Sequence, residues 1–107
     1  MTRVGSVIGL APGAGEEYTR LHRAVPADVL AAIGRANITR YSIFRHGSLL
    51  FASYEHVGDD LAADLAGMGR DEATRRWWDT VGPLQRTLRA RPEDPWWVEM
   101  EEVFHVD

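Results

Sequence analysis

The sequence contains no cysteine and no lysine; all twelve of its basic residues are arginine. Without cysteine there can be no disulfide, no thiolate nucleophile and no cysteine-ligated zinc, a pattern that fits a reducing compartment. Without lysine, no Schiff base can form through the protein, which removes aldol and ring-opening chemistry of that type. Long apolar runs are missing as well. The stretch that follows Met1 is far too short for a signal core or a membrane span, so a soluble, cytoplasmic protein with no membrane partner is expected. Nor is there a basic excess: the formal charge is -4, whereas a surface that tracks phosphates needs positive charge, and nucleic acid is not an expected partner.

What remains is the composition of an ordinary globular chain. It has 107 residues, 45% of them apolar and 26% charged, enough for one packed core and little more. A single domain over residues 1–107 is expected.

Val4, Val7, Ile8 and Leu10, with Gly5 and Gly9 between them, read as a first strand over Val4 to Leu10, stopped by Pro12-Gly13. From Ala14 to about Ala36 the apolar residues recur at helical steps. Pro26 interrupts them, because proline removes a helical hydrogen bond and clashes with the carbonyl four residues back, so two helical pieces should meet near Arg23 to Val25. Ile38 to Arg45 and Leu49 to His56 read as strands joined by the short connection His46-Gly47-Ser48. In the first, Tyr41, Ile43 and Arg45 share one face. Gly58-Asp59-Asp60 opens a helix over Leu61 to Met68, ended by Gly67 and Gly69, and Asp71 or Thr74 opens another that runs to roughly Val81. After Gly82-Pro83 and Leu84 to Leu88, Arg89 to Pro95 reads as a loop, and Trp96 to Val106 as a last strand. The order predicts an α+β fold, a ferredoxin-like split βαβ arrangement whose four-stranded antiparallel sheet carries helices on one face. The bare face of such a sheet predicts a homodimer, with the pocket between sheet and helices.

The chemistry centres on Tyr18 and His22. Four residues apart on a helix, they share one face, and imidazole is the side chain that most readily both gives and takes a proton near neutrality. The plain alternative is a pair of half-buried helix residues with satisfied polar tips. Trp77 and Trp78 lie about 100° apart around a helix, so one could pack while the other lines a cavity. Flat rings beside a cleft suit the apolar faces of a sugar; two tryptophans filling the space between helix and sheet is the simpler reading. Trp96 and Trp97 read as packing or interface residues. His46 and His56 read as solvent-exposed, and Glu99, Glu101 and Glu102 as a solvated strand face. No pair of histidines has metal-binding spacing, so no metal is expected.

Glu16-Glu17-Tyr18 with His22, Tyr41-Ser42-Ile43-Phe44, Arg76-Trp77-Trp78 and Glu102-Val103-Phe104-His105 resemble, in order and spacing, the L-rhamnose mutarotase family. The resemblance covers nearly the whole chain. It implies a dimeric α+β barrel without a cofactor that interconverts the α and β anomers of a deoxy-hexose such as L-rhamnose, a small monosaccharide. By resemblance His22 is the proton donor, while Tyr18, Tyr41, Trp77 and Trp78 bind the substrate. One departure is Ala24-Val25-Pro26, where members often carry a bulky aromatic just before the proline. For the complementary acid or base, a bound water, His105 and Glu101 are candidates. Two other classes compete: a cofactor-independent or haem-binding monooxygenase of the same barrel type, and a non-catalytic sugar-binding module.

Overall fold

The computed structural model describes residues 1–107. Strand β1 (Thr2–Leu10) lies at the centre of an antiparallel sheet. On one side it pairs with β3 (Leu49–His56), and β3 pairs in turn with β2 (Ile38–His46). On the other side it meets two short strands, β4 (Gln85–Arg86) and β5 (Val98–Met100). This is the ferredoxin-like order, with the expected fourth strand divided in two. The predicted strand over Trp96 to Val106 is therefore mostly absent: only Val98–Met100 pairs, and residues 101–107 run exposed beyond it. Apolar content alone suggested a strand there; beyond Met100 the chain is tied to β1 through side chains instead, Arg3 donating to the Glu102 carboxylate at 2.8 and 3.0 Å.

Pro26 divides the first helical stretch where expected, giving α1 (Gly15–His22) and α2 (Ala27–Arg35). Pro26 is the N-cap of α2, and its carbonyl accepts from the amides of Val29 and Leu30. Glu16 and Glu17 fall in the first turn of α1 and His22 at its end, both favourable to the helix dipole. Helix α3 (Leu61–Arg70) is capped by Asp60, whose carboxylate accepts from the Ala63 amide at 3.0 Å. It runs through Gly67 and Gly69 rather than ending at them. Helix α4 (Glu72–Val81) is capped by Asp71, which accepts from both the amide and the hydroxyl of Thr74.

The inner face of the sheet follows the period of two: Ser6, Ile8 and Leu10 on β1 and Leu50, Ala52 and His56 on β3 are all buried. Ile8, Leu10 and Leu50 close around Tyr18 from α1 and Val81 from α4, joining the helices to the sheet. A buried side chain of this size contributes roughly 1.5–3 kcal/mol.

One irregularity shapes everything above the sheet. Thr39 pairs with Glu55 and Ser42 with Ser53, so Arg40 and Tyr41 together oppose Tyr54. Arg40 has φ +50, a left-handed conformation rarely adopted by residues other than glycine and asparagine. This bulge changes the parity of the strand. Ile38 faces inward before it, and Tyr41 and Ile43 face inward after it.

Candidate functional site

Between the inner face of the sheet and the helices lies a cavity of about 580 Å³, within the range usual for small-molecule sites. Three of its walls come from different elements: Tyr18 and His22 from α1, Tyr41 from β2, and Trp77 and Trp78 from α4. All five residues singled out from the sequence thus line one space. Both tryptophans of the pair face it; Trp77 also packs on the core cluster, whereas Trp78 is largely open to solvent.

His22 is half-buried and held on three sides. Its ring stacks on Tyr18, with centroids 4.2 Å apart and planes at 26°, and meets the edge of Trp77 at 5.1 Å. Its Nδ1 lies 2.8 Å from the Tyr18 carbonyl oxygen. A backbone carbonyl can only accept, so Nδ1 carries the proton and donates it. Nε2 makes no hydrogen bond within the chain and is the nitrogen free to exchange a proton with a ligand.

The phenols differ in their surroundings. Tyr18 is buried, and loss of solvent raises its pKa above the ordinary value, against the smaller lowering effect of a hydrogen bond from Gln85. Burial of the Tyr41 hydroxyl pushes it up to about 12, with Tyr18 and Tyr54 adding to the rise. The 41% of Tyr41 that stays open to water works against that shift. Tyr54, whose ring is 5.6 Å from that of Tyr41, is raised by burial and then by the charge of Glu99. Each phenol is thus held in its protonated, hydrogen-bond-donating form.

Several lining residues were not singled out from the sequence. Trp96 and Trp97, read as packing or interface residues, also line the cavity, and so does Gln85. Glu99, read as part of a solvated face, belongs to it too: it pairs in register with Ser6 on β1, another lining residue. The signal was the strand alternation itself, which puts Glu99 and Glu101 on one face, but β5 ends at Met100 before Glu101 is reached. Glu101 and His105, the earlier candidates for a second acid or base, lie outside the cavity; His105 pairs with Asp107 at 2.7 Å. His56 is corrected as well. It is buried rather than exposed, its Nε2 2.6 Å from Asp64 of α3, and it ties the end of β3 to that helix.

A family model described as L-rhamnose mutarotase matches residues 3–106. The chain belongs to the L-rhamnose mutarotase family. L-rhamnose mutarotases from Opitutus terrae and Bacteroides thetaiotaomicron are 30% and 28% identical to it, each aligned over the whole of both chains. The crystal structure of the L-rhamnose mutarotase from Formosa agariphila superposes with a TM-score of 0.79 at 22% identity, covering all of both chains. A type II polyketide cyclase from Streptomyces glaucescens shares the fold, with a TM-score of 0.74 at 16% identity over all of this chain and 98% of its own. The mutarotase family and this cyclase thus use one α+β architecture, so the fold by itself does not assign the chemistry.

Proposed function

We propose that this chain interconverts the anomers of L-rhamnose or a closely related deoxy-hexose, with His22 as the proton donor. The observation that carries the reading is the His22 imidazole, fixed between Tyr18 and Trp77 with Nε2 unbonded in an aromatic-lined cavity. Membership of the mutarotase family supports it and does not favour the monooxygenase alternative.

The reaction needs two proton transfers. In its doubly protonated form, with Nδ1–H held by the Tyr18 carbonyl, His22 gives its Nε2 proton to the ring oxygen as the bond between that oxygen and the anomeric carbon breaks, and is left as the neutral Nδ1–H imidazole. The proton of the anomeric hydroxyl leaves to an acceptor, and its electron pair completes the aldehyde carbonyl. Rotation about the next carbon–carbon bond and the reverse transfers close the ring on the other face. Glu99, the carboxylate that lines the cavity, is suited to the acceptor's part. Tyr18 and Tyr41 donate hydrogen bonds to oxygens of the sugar and the indoles of Trp77 and Trp78 cover the apolar face of the ring. Positioned acid–base catalysis of this kind supplies on the order of 100- to 10,000-fold.

The active form in this reading is a homodimer in the cytoplasm. The absence of cysteine supports the setting, and no helix is long and apolar enough to cross a membrane. The dimer is supported by exposed apolar side chains on the C-terminal run, Val103, Phe104 and Val106, and by Phe44 on the outer face of β2. The test of the activity is saturation transfer between the anomeric proton signals of L-rhamnose, L-fucose and other deoxy sugars, with and without protein. Accelerated exchange for one of them is expected; unchanged exchange for all of them removes the proposal.

A further inference from the structure

Tyr18 is joined to Trp96 through Gln85, and the direction of that chain follows from elementary chemistry. The indole nitrogen of Trp96 can only donate, and it lies 2.8 Å from Oε1 of Gln85. The amide of Gln85 is thereby oriented, with its nitrogen toward Tyr18. Nε2 donates to the Tyr18 hydroxyl oxygen at 3.2 Å. The phenol therefore accepts from inside the protein, and its own proton, for which the chain offers no acceptor, is free for the cavity.

The chain of donors is anchored at both ends. Gln85 lies on β4, paired in register with Leu10 of β1. The Trp96 carbonyl accepts from the Thr87 hydroxyl at 2.6 Å, and the Arg89 guanidinium sits 5.3 Å from the Trp96 ring. Arg89 is itself held by the Asp94 carbonyl at 3.3 Å. None of these residues was marked by the spacing that identified Tyr18 and His22.

We propose that Gln85 is a positioning residue that makes Tyr18 a fixed hydrogen-bond donor to a substrate oxygen carrying no proton, the ring oxygen of a pyranose or the carbonyl of its open form. This rests on the mutarotase reading above and adds to it the direction of one hydrogen bond. Such a donor strengthens as negative charge develops on the ring oxygen during ring opening, and so assists the proton that His22 delivers.

Gln85→Glu tests the direction, because a carboxylate accepts from Trp96 and from Tyr18 alike and turns the phenol's proton away from the sugar. Near pH 8, kcat should fall by roughly 100-fold relative to wild type, with KM little altered. As the pH is lowered toward about 5 the introduced carboxyl takes up a proton, donates as the amide did, and the ratio to wild type should recover. Tyr18→Phe should lose about as much, and the double variant no more than either single one. With tyrosine carbon-13-labelled at Cζ, the Tyr18 resonance, identified by its loss in Tyr18→Phe, should differ from wild type in Gln85→Glu at high pH and return with the same midpoint. If Gln85→Glu does not fold, Gln85→Met, which offers no hydrogen bond, should shift that resonance without pH dependence.

A loss independent of pH, or a Tyr18 resonance indifferent to both substitutions, overturns the proposal. If the wild-type protein exchanges the anomers of no deoxy sugar, the mutarotase reading fails separately, while the resonance still decides which way the phenol points.

Discussion

Gly9 on β1 offers a sharp test of how the site is supported. A Cβ added there would lie 2.8 Å from the Arg86 carbonyl oxygen, a backbone atom of β4. Gly9 and Arg86 are paired in register, and the next pair is Leu10 with Gln85. The clash cannot be relieved by a rotamer change, so β4 must move away from β1, and Gln85 moves with it. Overpacking of this kind costs about 1–3 kcal/mol, offset by roughly 0.5 kcal/mol from the lower entropy of an unfolded chain with alanine in place of glycine. For a domain of this size each kcal/mol corresponds to about 4–8 °C in Tm, so Gly9→Ala should lower Tm by roughly 2–20 °C. Gly5→Ala on the same strand is the control, since its Cβ would meet nothing nearer than the Met100 methyl at 3.5 Å. Calorimetry of both variants, with the Tyr18 resonance as a second readout, measures the difference. Equal Tm values for the two variants would refute the argument from the close approach of β1 and β4.

Three further outcomes follow from other parts of the molecule. Deleting Arg40 leaves Thr39, Tyr41 and Ser42 opposite Glu55, Tyr54 and Ser53, a regular alternation in which Ile38, Tyr41 and Ile43 still face inward; sugar binding measured by NMR titration should therefore be kept, and its loss would show that the bulge itself places Tyr41. The Asp64 carboxyl is held below its ordinary pKa first by the Asn37 amide and then by His56. A depressed carboxylate stabilises the fold above its unfolded value of about 3.9 and loses that contribution as pH falls through the lower folded value. Urea midpoints for Asp64→Asn should therefore be lower than wild type at neutral pH, and the gap should narrow in acid. Phe104→Asp, on the exposed C-terminal run, should shift sedimentation toward the monomer; an unchanged assembly would remove that run from the dimer contact.

The parts of the fold that could be read from the sequence are those whose cause is local. Pro26 ends one helix and begins the next wherever it stands, and Asp60 and Asp71 cap helices through amides three residues away. The spacing of Tyr18 and His22 survives for the same reason: four residues on a helix give a stacked pair whatever lies around it. The bulge at Arg40 was not legible, because no glycine or asparagine marks the positive φ there. His56 looked like a strand end in solvent, since the partner that buries it comes from a helix that begins five residues later. Gln85, Trp96 and Glu99 were missed as site residues for a related reason. Gln85 and Glu99 reach the cavity only through the pairing of two very short strands with β1, Trp96 stands in the bend before the second of them, and strands of two and three residues leave no period to detect.

The central claim is that one imidazole, His22, moves a proton onto the sugar's ring oxygen. Saturation transfer between the two anomers of L-rhamnose measures it most directly, with wild-type protein and with His22→Gln, which keeps size and polarity. The account predicts bound sugar in both, with exchange in the variant slower by roughly 100-fold or more; wild-type exchange in the variant would contradict it.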